Sequence, residues 1–118
     1  MNAIPKSLKI LHVFRAPVGG LFRHVRDLVR GQSAHGHRIG IVADSSTGGE
    51  DADRLFSEIA PQLPLGVNRI PMGRYLGFGD VSATRAVAGV IARVQPDVVH
   101  GHGAKGAAYA RLAPVPPH

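Results

Sequence analysis

The segment that decides the fold is residues 8–20, which read Leu8-Lys-Ile-Leu-His-Val-Phe14 and then Arg15-Ala-Pro-Val-Gly-Gly20. The first part is an apolar run of β-forming residues, long enough for a strand and too short for a helix. A proline and paired glycines then interrupt the run. Apolar residues resume at helical spacing, at Leu21, Phe22, Val25, Leu28 and Val29. The segment therefore predicts a buried strand, a glycine turn and an amphipathic helix.

The alternation of strands and helices continues along the chain. Further strands are predicted at residues 38–43, 66–70 and 97–100. Further helices are predicted at residues 50–60, 81–94 and 103–113. Strands that alternate with helices predict a parallel sheet with right-handed crossovers. The expected fold class is α/β, with a Rossmann-like parallel sheet and helices on both faces.

Length and composition fit one small domain or part of one. The 118 residues are 44% apolar and 19% charged, which is an ordinary globular balance. The absence of cysteine excludes a disulfide scaffold, a thiolate metal site and a cysteine nucleophile. Residues 1–14 fit a buried strand better than a signal peptide. No apolar stretch approaches the roughly 18–20 residues that a membrane span needs.

The charge favours an anionic partner. Lys and Arg number 14 against 8 acidic residues, a formal net charge of +6. Such a balance suits nucleic acid, phosphates or an acidic membrane face, and it is equally compatible with a basic surface that binds nothing. Aromatic residues are only 5% of the chain, and no helix-turn-helix or zinc pattern is present, which argues against nucleic acid.

Ligands of an open α/β sheet bind beyond the carboxyl ends of the strands, where the strand order reverses. For the order 3-2-1-4, that crevice lies between the first and fourth strands, flanked here by Pro17-Val-Gly-Gly20 and by His100-Gly-His-Gly103. Glycines directly before a helix let a phosphate approach the free N–H groups of the helix N-terminus, although a tight turn without a ligand would look the same. The third glycine of a dinucleotide fingerprint is missing, and no Gly-Lys-Ser/Thr follows. A dehydrogenase is favoured only by Asp44, which lies at the end of the predicted second strand, where nicotinamide enzymes place the acid that binds the ribose.

The histidines are the other candidate site residues. His100 and His102 are two residues apart and share a face on an extended chain. No third ligand stands at metal spacing, so we expect no metal site but a hydrogen bond from His102 to a substrate hydroxyl or phosphate, with His100 bracing the strand end. His24 faces either the cleft or solvent, and Lys105 meets either an anion or solvent. His12, in the middle of the first strand, is interpreted as a core histidine bonded to backbone or water.

The order and spacing of these segments resemble those of a known family, the retaining GT-B glycosyltransferases of family 4 (group 1). The resemblance covers nearly the whole chain, with residues 44–80 contributing little. Its first half rests on Lys9-Ile-Leu-His-Val13, Gly19-Gly20, His24-Val-Arg-Asp-Leu28 and Gly36-His37. Its second half rests on Pro96-Asp-Val-Val-His-Gly-His102, Lys105-Gly106 and Arg111-Leu-Ala113.

The resemblance implies an enzyme with two Rossmann-like domains, an N-terminal one for the acceptor and a C-terminal one for the nucleotide-sugar donor. It implies that the loop matching Gly19 and Gly20 approaches the donor diphosphate and sugar. It makes His102 the catalytic candidate near the reacting sugar, with His24, His100 and Lys105 lining the acceptor side of the cleft. Transfer would retain the anomeric configuration and use no cofactor or metal, the nucleotide sugar being a substrate. The acceptor would be lipid-linked or a saccharide, as in polysaccharide biosynthesis.

The resemblance also suggests a role for the net positive charge of the chain. Many members act at the cytoplasmic face of the membrane through basic N-terminal surfaces. We therefore expect a cytoplasmic protein, peripheral at the inner membrane face, with Arg23, Arg26 and Arg30 as a candidate lipid-binding patch.

A complete member is much longer, with a donor domain that carries paired glutamates. Residues 1–118 are therefore expected to be a partial N-terminal, acceptor-side domain without its C-terminal donor domain. In this interpretation Pro114-Val-Pro-Pro-His118 approaches a missing fifth strand, the fragment alone is inactive, and its open sheet edge favours self-association. The alternative is a non-catalytic nucleotide- or phosphate-binding Rossmann-like module.

Overall fold

Strands and helices alternate in the computed structural model, which describes residues 7–17, 19–73 and 78–112. The strands are β1 (Lys9–Phe14), β2 (Arg38–Asp44), β3 (Val67–Ile70) and β4 (Val98–Gly101). The helices are α1 (Gly20–Ala34), α2 (Gly49–Ile59), α3 (Phe78–Val94) and α4 (Gly103–Leu112), with a 3₁₀ turn at Ala60–Gln62. Each predicted strand and helix is confirmed, with boundaries shifted by a few residues.

The strands form one parallel sheet in the order β3-β2-β1-β4. This is the order 3-2-1-4 on which the predicted crevice depends, and it places β1 between β2 and β4. The register sets His12 of β1 opposite Ile41 of β2 on one side and His100 of β4 on the other. Side chains at paired positions of parallel strands point to the same face of the sheet, so His12 and His100 are neighbours on one face.

The core is split between the two faces of the sheet. Ile10 and Phe14 of β1 join a cluster with residues of α1 and α2, whereas Leu11 and Val13 join a cluster with residues of α3 and with Tyr109 of α4. A parallel strand that is buried on both faces of the sheet has a nearly continuous apolar sequence. This explains why residues 8–14 show no clean alternation, and it confirms helices on both faces.

Helix α4 lies so close to the strands that two glycines are required. A Cβ atom on Gly106 would stand 2.3 Å from the carbonyl oxygen of Val13, and one on Gly101 would stand 2.5 Å from the carbonyl oxygen of Gly106. Both distances are far inside van der Waals contact with backbone atoms. The close approach brings the start of α4 against the carboxyl end of β1.

Asp44, the acid whose position favoured a dehydrogenase, accepts hydrogen bonds from groups of its own chain. Its buried carboxylate accepts hydrogen bonds from the Thr47 hydroxyl at 2.6 Å, from the Met72 amide at 2.8 Å and from the amide and hydroxyl of Ser46. Burial raises the pKa of Asp44, but these hydrogen bonds outweigh burial and leave the pKa below its usual value. The carboxylate therefore ties the end of β2 to the segment after β3, which is a structural role.

Strand β4 lies at one edge of the sheet, where the side chain of Val98 is exposed. Self-association through this edge stays a prediction. Residues 114–118, where the approach to a fifth strand was expected, lie outside the described residues, as do residues 74–77. Among the helices of the described part of the chain, none combines the length and the apolar character needed to cross a membrane.

The close contact at Gly106 predicts that Gly106→Ala destabilises the fold. The added methyl group would collide with the backbone of β1, and such overpacking typically costs about 1–3 kcal/mol. The matched control is Gly89→Ala on α3, where a Cβ meets no atom of the described residues within 4 Å. That change should raise the free energy of unfolding by about 0.5–1 kcal/mol. Urea denaturation measures both, and equal stabilities of the two variants would contradict the packing described.

The lowered pKa of Asp44 predicts a pH dependence of stability with a definite sign. Its contribution is fully present above the pKa of the unfolded carboxyl, about 3.9, and is lost as pH falls through the lower folded pKa. Asp44→Asn removes this titration, so the variant should be less stable than the wild type at neutral pH and should lose less stability below about pH 4.

Urea denaturation across this pH range checks the prediction. Asp51→Asn on the exposed surface of α2 is the control and should change the neutral-pH stability by less than about 0.5 kcal/mol. A wild-type profile that is no steeper in acid than that of Asp44→Asn would refute the role given to the carboxylate.

Candidate active site

The N-termini of two helices meet at the carboxyl ends of β1 and β4. Gly19 precedes α1 with a φ of 84°, and Gly103 begins α4 with a φ of 72°. Both values lie in the left-handed region that favours glycine. A Cβ on Gly103 would lie 3.7 Å from Leu21 in the first turn of α1, so the two helix starts are neighbours. The crevice predicted between the first and fourth strands is therefore bordered by two helix N-termini.

The glycine turn before α1 faces open space. A Cβ on Gly19 or on Gly20 would meet no atom of the described residues within 4 Å. No side chain in the described part of the chain caps α1, and its first turn contains no acidic residue. The first N–H groups of a helix have no intrahelical partner and carry the positive end of the helix dipole. This turn can accommodate an anionic group.

Three histidines converge beside the turn. His12 on β1, His100 on β4 and His102 directly after β4, called here the histidine cluster, each offer a ring nitrogen within 4.8 Å of the others. The rings of His100 and His102 are stacked with centroids 3.9 Å apart. His12 and His102 are buried, whereas His100 is exposed. The cluster thus extends from the core to the surface of the crevice.

Backbone pairing fixes the position of His102. Its N–H donates to the carbonyl oxygen of Val13 at 2.8 Å, which continues the pairing of β4 with β1 past the end of the strand. Its ring meets Phe14 edge to face, with centroids 6.4 Å apart. Both contacts hold the imidazole over the carboxyl end of β1.

A chain of hydrogen bonds runs from α1 through His12 to His102. The Nε2 atom of His12 lies 2.8 Å from the amide oxygen of Gln32, and its Nδ1 atom lies 2.9 Å from Nε2 of His102. Because the amide oxygen only accepts, Nε2 of His12 carries the proton. In the neutral ring Nδ1 is then an acceptor, and Nε2–H of His102 donates to it. Nδ1 of His102 is left unprotonated and can accept a hydrogen bond.

The environment keeps these imidazoles neutral. Burial, followed by the nearby rings of His100, His12 and His24, lowers the pKa of His102 to about 4. Burial also lowers the pKa of His12 by more than its hydrogen bond with Gln32 raises it. At neutral pH His102 is therefore a hydrogen-bonding partner for a hydroxyl rather than a cation for a phosphate.

The two other candidate residues, His24 and Lys105, lie toward different faces of the sheet. His24 is exposed on α1, and its ring centroid lies 5.8 Å from that of His102, so it borders both the crevice and solvent. Lys105, in the first turn of α4, holds its ammonium 5.8 Å from the ring centroid of Tyr109, which belongs to the core on the α3 face. The structure thus brings His24, His100 and His102 together and directs Lys105 toward Tyr109.

His12 is the core histidine that the sequence predicted, but the expectation that it bonds to backbone or water was wrong. Its partners are the side chains of Gln32 and His102, and it supplies the third ring nitrogen that the spacing of His100 and His102 lacked. Gln32 was missed, although the sequence carries a signal. It follows Val25 and Val29 at helical spacing, which places a polar side chain on the apolar stripe of α1.

Comparisons with known proteins agree with this architecture. The chain resembles a glycosyltransferase from Rickettsia africae ESF-5 with a TM-score of 0.68 at 20% identity, covering 91% of this chain and 26% of that one. It resembles MurG from Acinetobacter baumannii with a TM-score of 0.67 at 19% identity, covering 92% of this chain and 34% of that one. At these identities the likeness shows the fold, and the chain spans only about a quarter to a third of each structure.

The sequence comparison identifies the family. No curated protein matches the chain. A family model described as the glycosyl transferase 4-like domain matches residues 19–117, which include the glycine turn, every strand after β1 and the histidines of β4. The resemblance to glycosyltransferases drawn from the sequence is confirmed, and the chain belongs to the glycosyl transferase 4-like domain family.

Proposed function

We propose that this chain is the acceptor-side part of a retaining glycosyltransferase that moves a sugar from a nucleotide-sugar donor to a lipid-linked or saccharide acceptor. Membership of the family supports glycosyl transfer. The observation that carries the proposal is the meeting of an open glycine turn with a buried, neutral imidazole at one crevice. A diphosphate and a sugar hydroxyl are the groups that such a pair suits.

The glycine turn provides the contact for the donor diphosphate. The uncapped N–H groups of α1 can donate to phosphate oxygens, and the helix dipole favours the negative charge that develops on the leaving nucleotide. The empty space in front of Gly19 and Gly20 lets the phosphate reach the backbone. A side chain at either position would occupy that space.

His102 provides the contact for the sugar. As a neutral ring it can accept a hydrogen bond at Nδ1 from a hydroxyl of the transferred sugar or of the acceptor. Gln32 and His12 act through it, because they set which nitrogen carries the proton. His24 and His100 are exposed beside it and are proposed to line the acceptor side of the cleft. A contact of Lys105 with substrate stays a prediction.

In the proposed enzyme, the two substrates are bound by two domains of a longer protein. The chain covers 26% and 34% of the two solved structures it resembles. In the proposed enzyme, residues 1–118 are a partial N-terminal domain, and a second domain binds most of the nucleotide sugar. We therefore expect the 118 residues alone not to turn over a nucleotide sugar.

A basic stripe on α1 supports a membrane-associated acceptor. Arg23, Arg26 and Arg30 follow each other at i, i+3 and i+7, which places them on one side of the helix. Arg23 and Arg30 are exposed and Arg26 is partly exposed. Basic residues near an anionic leaflet contribute about 1 kcal/mol each. We propose that this stripe holds the enzyme at the cytoplasmic face of the membrane.

Substitutions at the site test the function in the enzyme that also carries a donor domain. His102→Ala should lower kcat about 100-fold, in the range typical for a lost proton-transfer or hydrogen-bonding group at the reacting centre. Gly20→Val should instead raise KM for the nucleotide sugar, because its side chain fills the phosphate space. Release of nucleoside diphosphate from a panel of nucleotide sugars measures both effects. The control is His35→Ala at the exposed end of α1.

Two results would contradict this assignment. One is a His102→Ala enzyme with wild-type kcat, and the other is turnover by the 118-residue chain on its own. Binding of nucleotide sugar without any transfer would favour the alternative of a non-catalytic phosphate-binding module.

The arginine stripe predicts binding to anionic lipid vesicles. The chain should sediment with vesicles that contain phosphatidylglycerol, should not sediment with pure phosphatidylcholine, and should be released as salt is raised. The double variant Arg23→Glu, Arg30→Glu should abolish sedimentation. Arg54→Glu, on the exposed surface of α2, makes the same kind of charge change elsewhere and should weaken binding far less. A wild-type chain that stays in solution with anionic vesicles would eliminate the membrane patch.

A further inference from the structure

We propose that the histidine cluster of His12, His100 and His102 is a binding site for a divalent transition-metal ion of the Zn²⁺ type. The three side chains come from β1, from β4 and from the residue after β4, and their ring nitrogens already lie within 4.8 Å of one another. The sequence placed only two of them together. Parallel pairing of β1 with β4 supplies the third.

The spacing of the nitrogens is close to that of a metal site. Zn²⁺ binds histidine nitrogens at about 2.0–2.1 Å in tetrahedral geometry, which separates two ligand atoms by about 3.3 Å. His12 Nδ1 and His102 Nε2 are 2.9 Å apart. The two rings need to move apart by only a few tenths of an ångström. His100, stacked on His102 and exposed, can turn to supply the third nitrogen.

The surroundings of His12 resemble the outer support of a metal ligand. Histidine ligands donate their second ring N–H to a carbonyl or carboxylate, which fixes the tautomer and leaves the other nitrogen for the metal. Gln32 accepts the Nε2–H of His12 in this way, so the lone pair of Nδ1 points into the cluster. His102 becomes a second ligand when its proton moves from Nε2 to Nδ1, a change of tautomer that releases no proton. In that state Nδ1 no longer accepts a hydrogen bond, so the ion and the proposed sugar hydroxyl compete for His102.

The three imidazole nitrogens select the class of metal ion and leave one of its coordination positions free. Imidazole nitrogens suit Zn²⁺, Cu²⁺, Ni²⁺ and Co²⁺, whereas Mg²⁺ prefers oxygen ligands, and the cluster has none. The exposed ring of His100 opens the site to solvent, so a fourth position remains for water. His24, with its ring centroid 5.8 Å from that of His102, borders that position.

Metal binding is measured without donor or acceptor, so its outcome is independent of the proposed sugar transfer. The untagged 118-residue chain, freed of metal with a chelator, is titrated with Co²⁺ and with Zn²⁺. One equivalent of Co²⁺ should give the visible absorption bands of a nitrogen-coordinated ion, Zn²⁺ should displace it, and Mg²⁺ should have no effect. Saturating Zn²⁺ should also raise the melting temperature, because the ion binds the folded chain.

Variants assign the binding to the cluster. His100→Ala changes an exposed side chain and should retain the fold while weakening Zn²⁺ binding at least tenfold, as should His102→Gln. Gln32→Leu removes the outer support and should weaken binding about 10-fold. His35→Gln, an exposed histidine at the end of α1, is the matched control and should bind as the wild type does. Circular dichroism verifies the fold of each variant.

The proposal is overturned if the wild type binds neither Co²⁺ nor Zn²⁺. It is equally overturned if folded His100→Ala and His102→Gln keep the wild-type affinity, or if His35→Gln loses as much affinity as they do.

Discussion

The parallel pairing of β1 with β4 is the constraint on which the rest of the structure depends. It ends both strands at the same edge of the sheet, so the glycine turn after β1 and the histidines of β4 border one crevice. It sets His12 opposite His100 and continues through the hydrogen bond from His102 to Val13. The close approach of α4, made possible by Gly106, holds the end of β1 in place. A site of this kind arises from strand order, because no segment of the sequence contains it whole.

A polar chain through the core links the stability of the fold to the site. His12 is completely buried on the face that α1 covers, among apolar side chains. A buried imidazole without partners would cost about 1–3 kcal/mol, and Gln32 and His102 offset that cost. The same two hydrogen bonds join α1 to the sheet and decide which nitrogen of His102 is free. Burial then keeps the rings neutral, which is why we propose helix N-termini for phosphate recognition and His102 for hydroxyl recognition.

The sequence was sufficient for the succession of strands and helices, because periodicity and the positions of glycine and proline determine it locally, and the alternation in turn predicted the parallel sheet. The location of the crevice followed only from the strand order 3-2-1-4, which the strand pairing confirms. The sequence was insufficient for His12, whose neighbours depend on the register between strands far apart in the chain. A strand buried on both faces has no alternation to show which side chains point toward α1. The structural role of Asp44 was hidden for a related reason: one of its partners, the Met72 amide, lies in the segment after β3. Only Gln32 left a readable sign, a polar residue on an apolar helical stripe.

Gln32, His12 and His102 form one hydrogen-bonded chain of neutral groups, and the function proposed for His102 depends on it. NMR of the ¹⁵N-labelled, metal-free chain at neutral pH tests it directly, because the ring nitrogens report tautomer and hydrogen bonding. We expect His12 to carry its proton on Nε2, His102 to be neutral, and a coupling across the hydrogen bond to connect His12 Nδ1 with His102 Nε2. Protonation of His12 on Nδ1 with its Nε2 deprotonated, or two rings that show no coupling to each other, would contradict it.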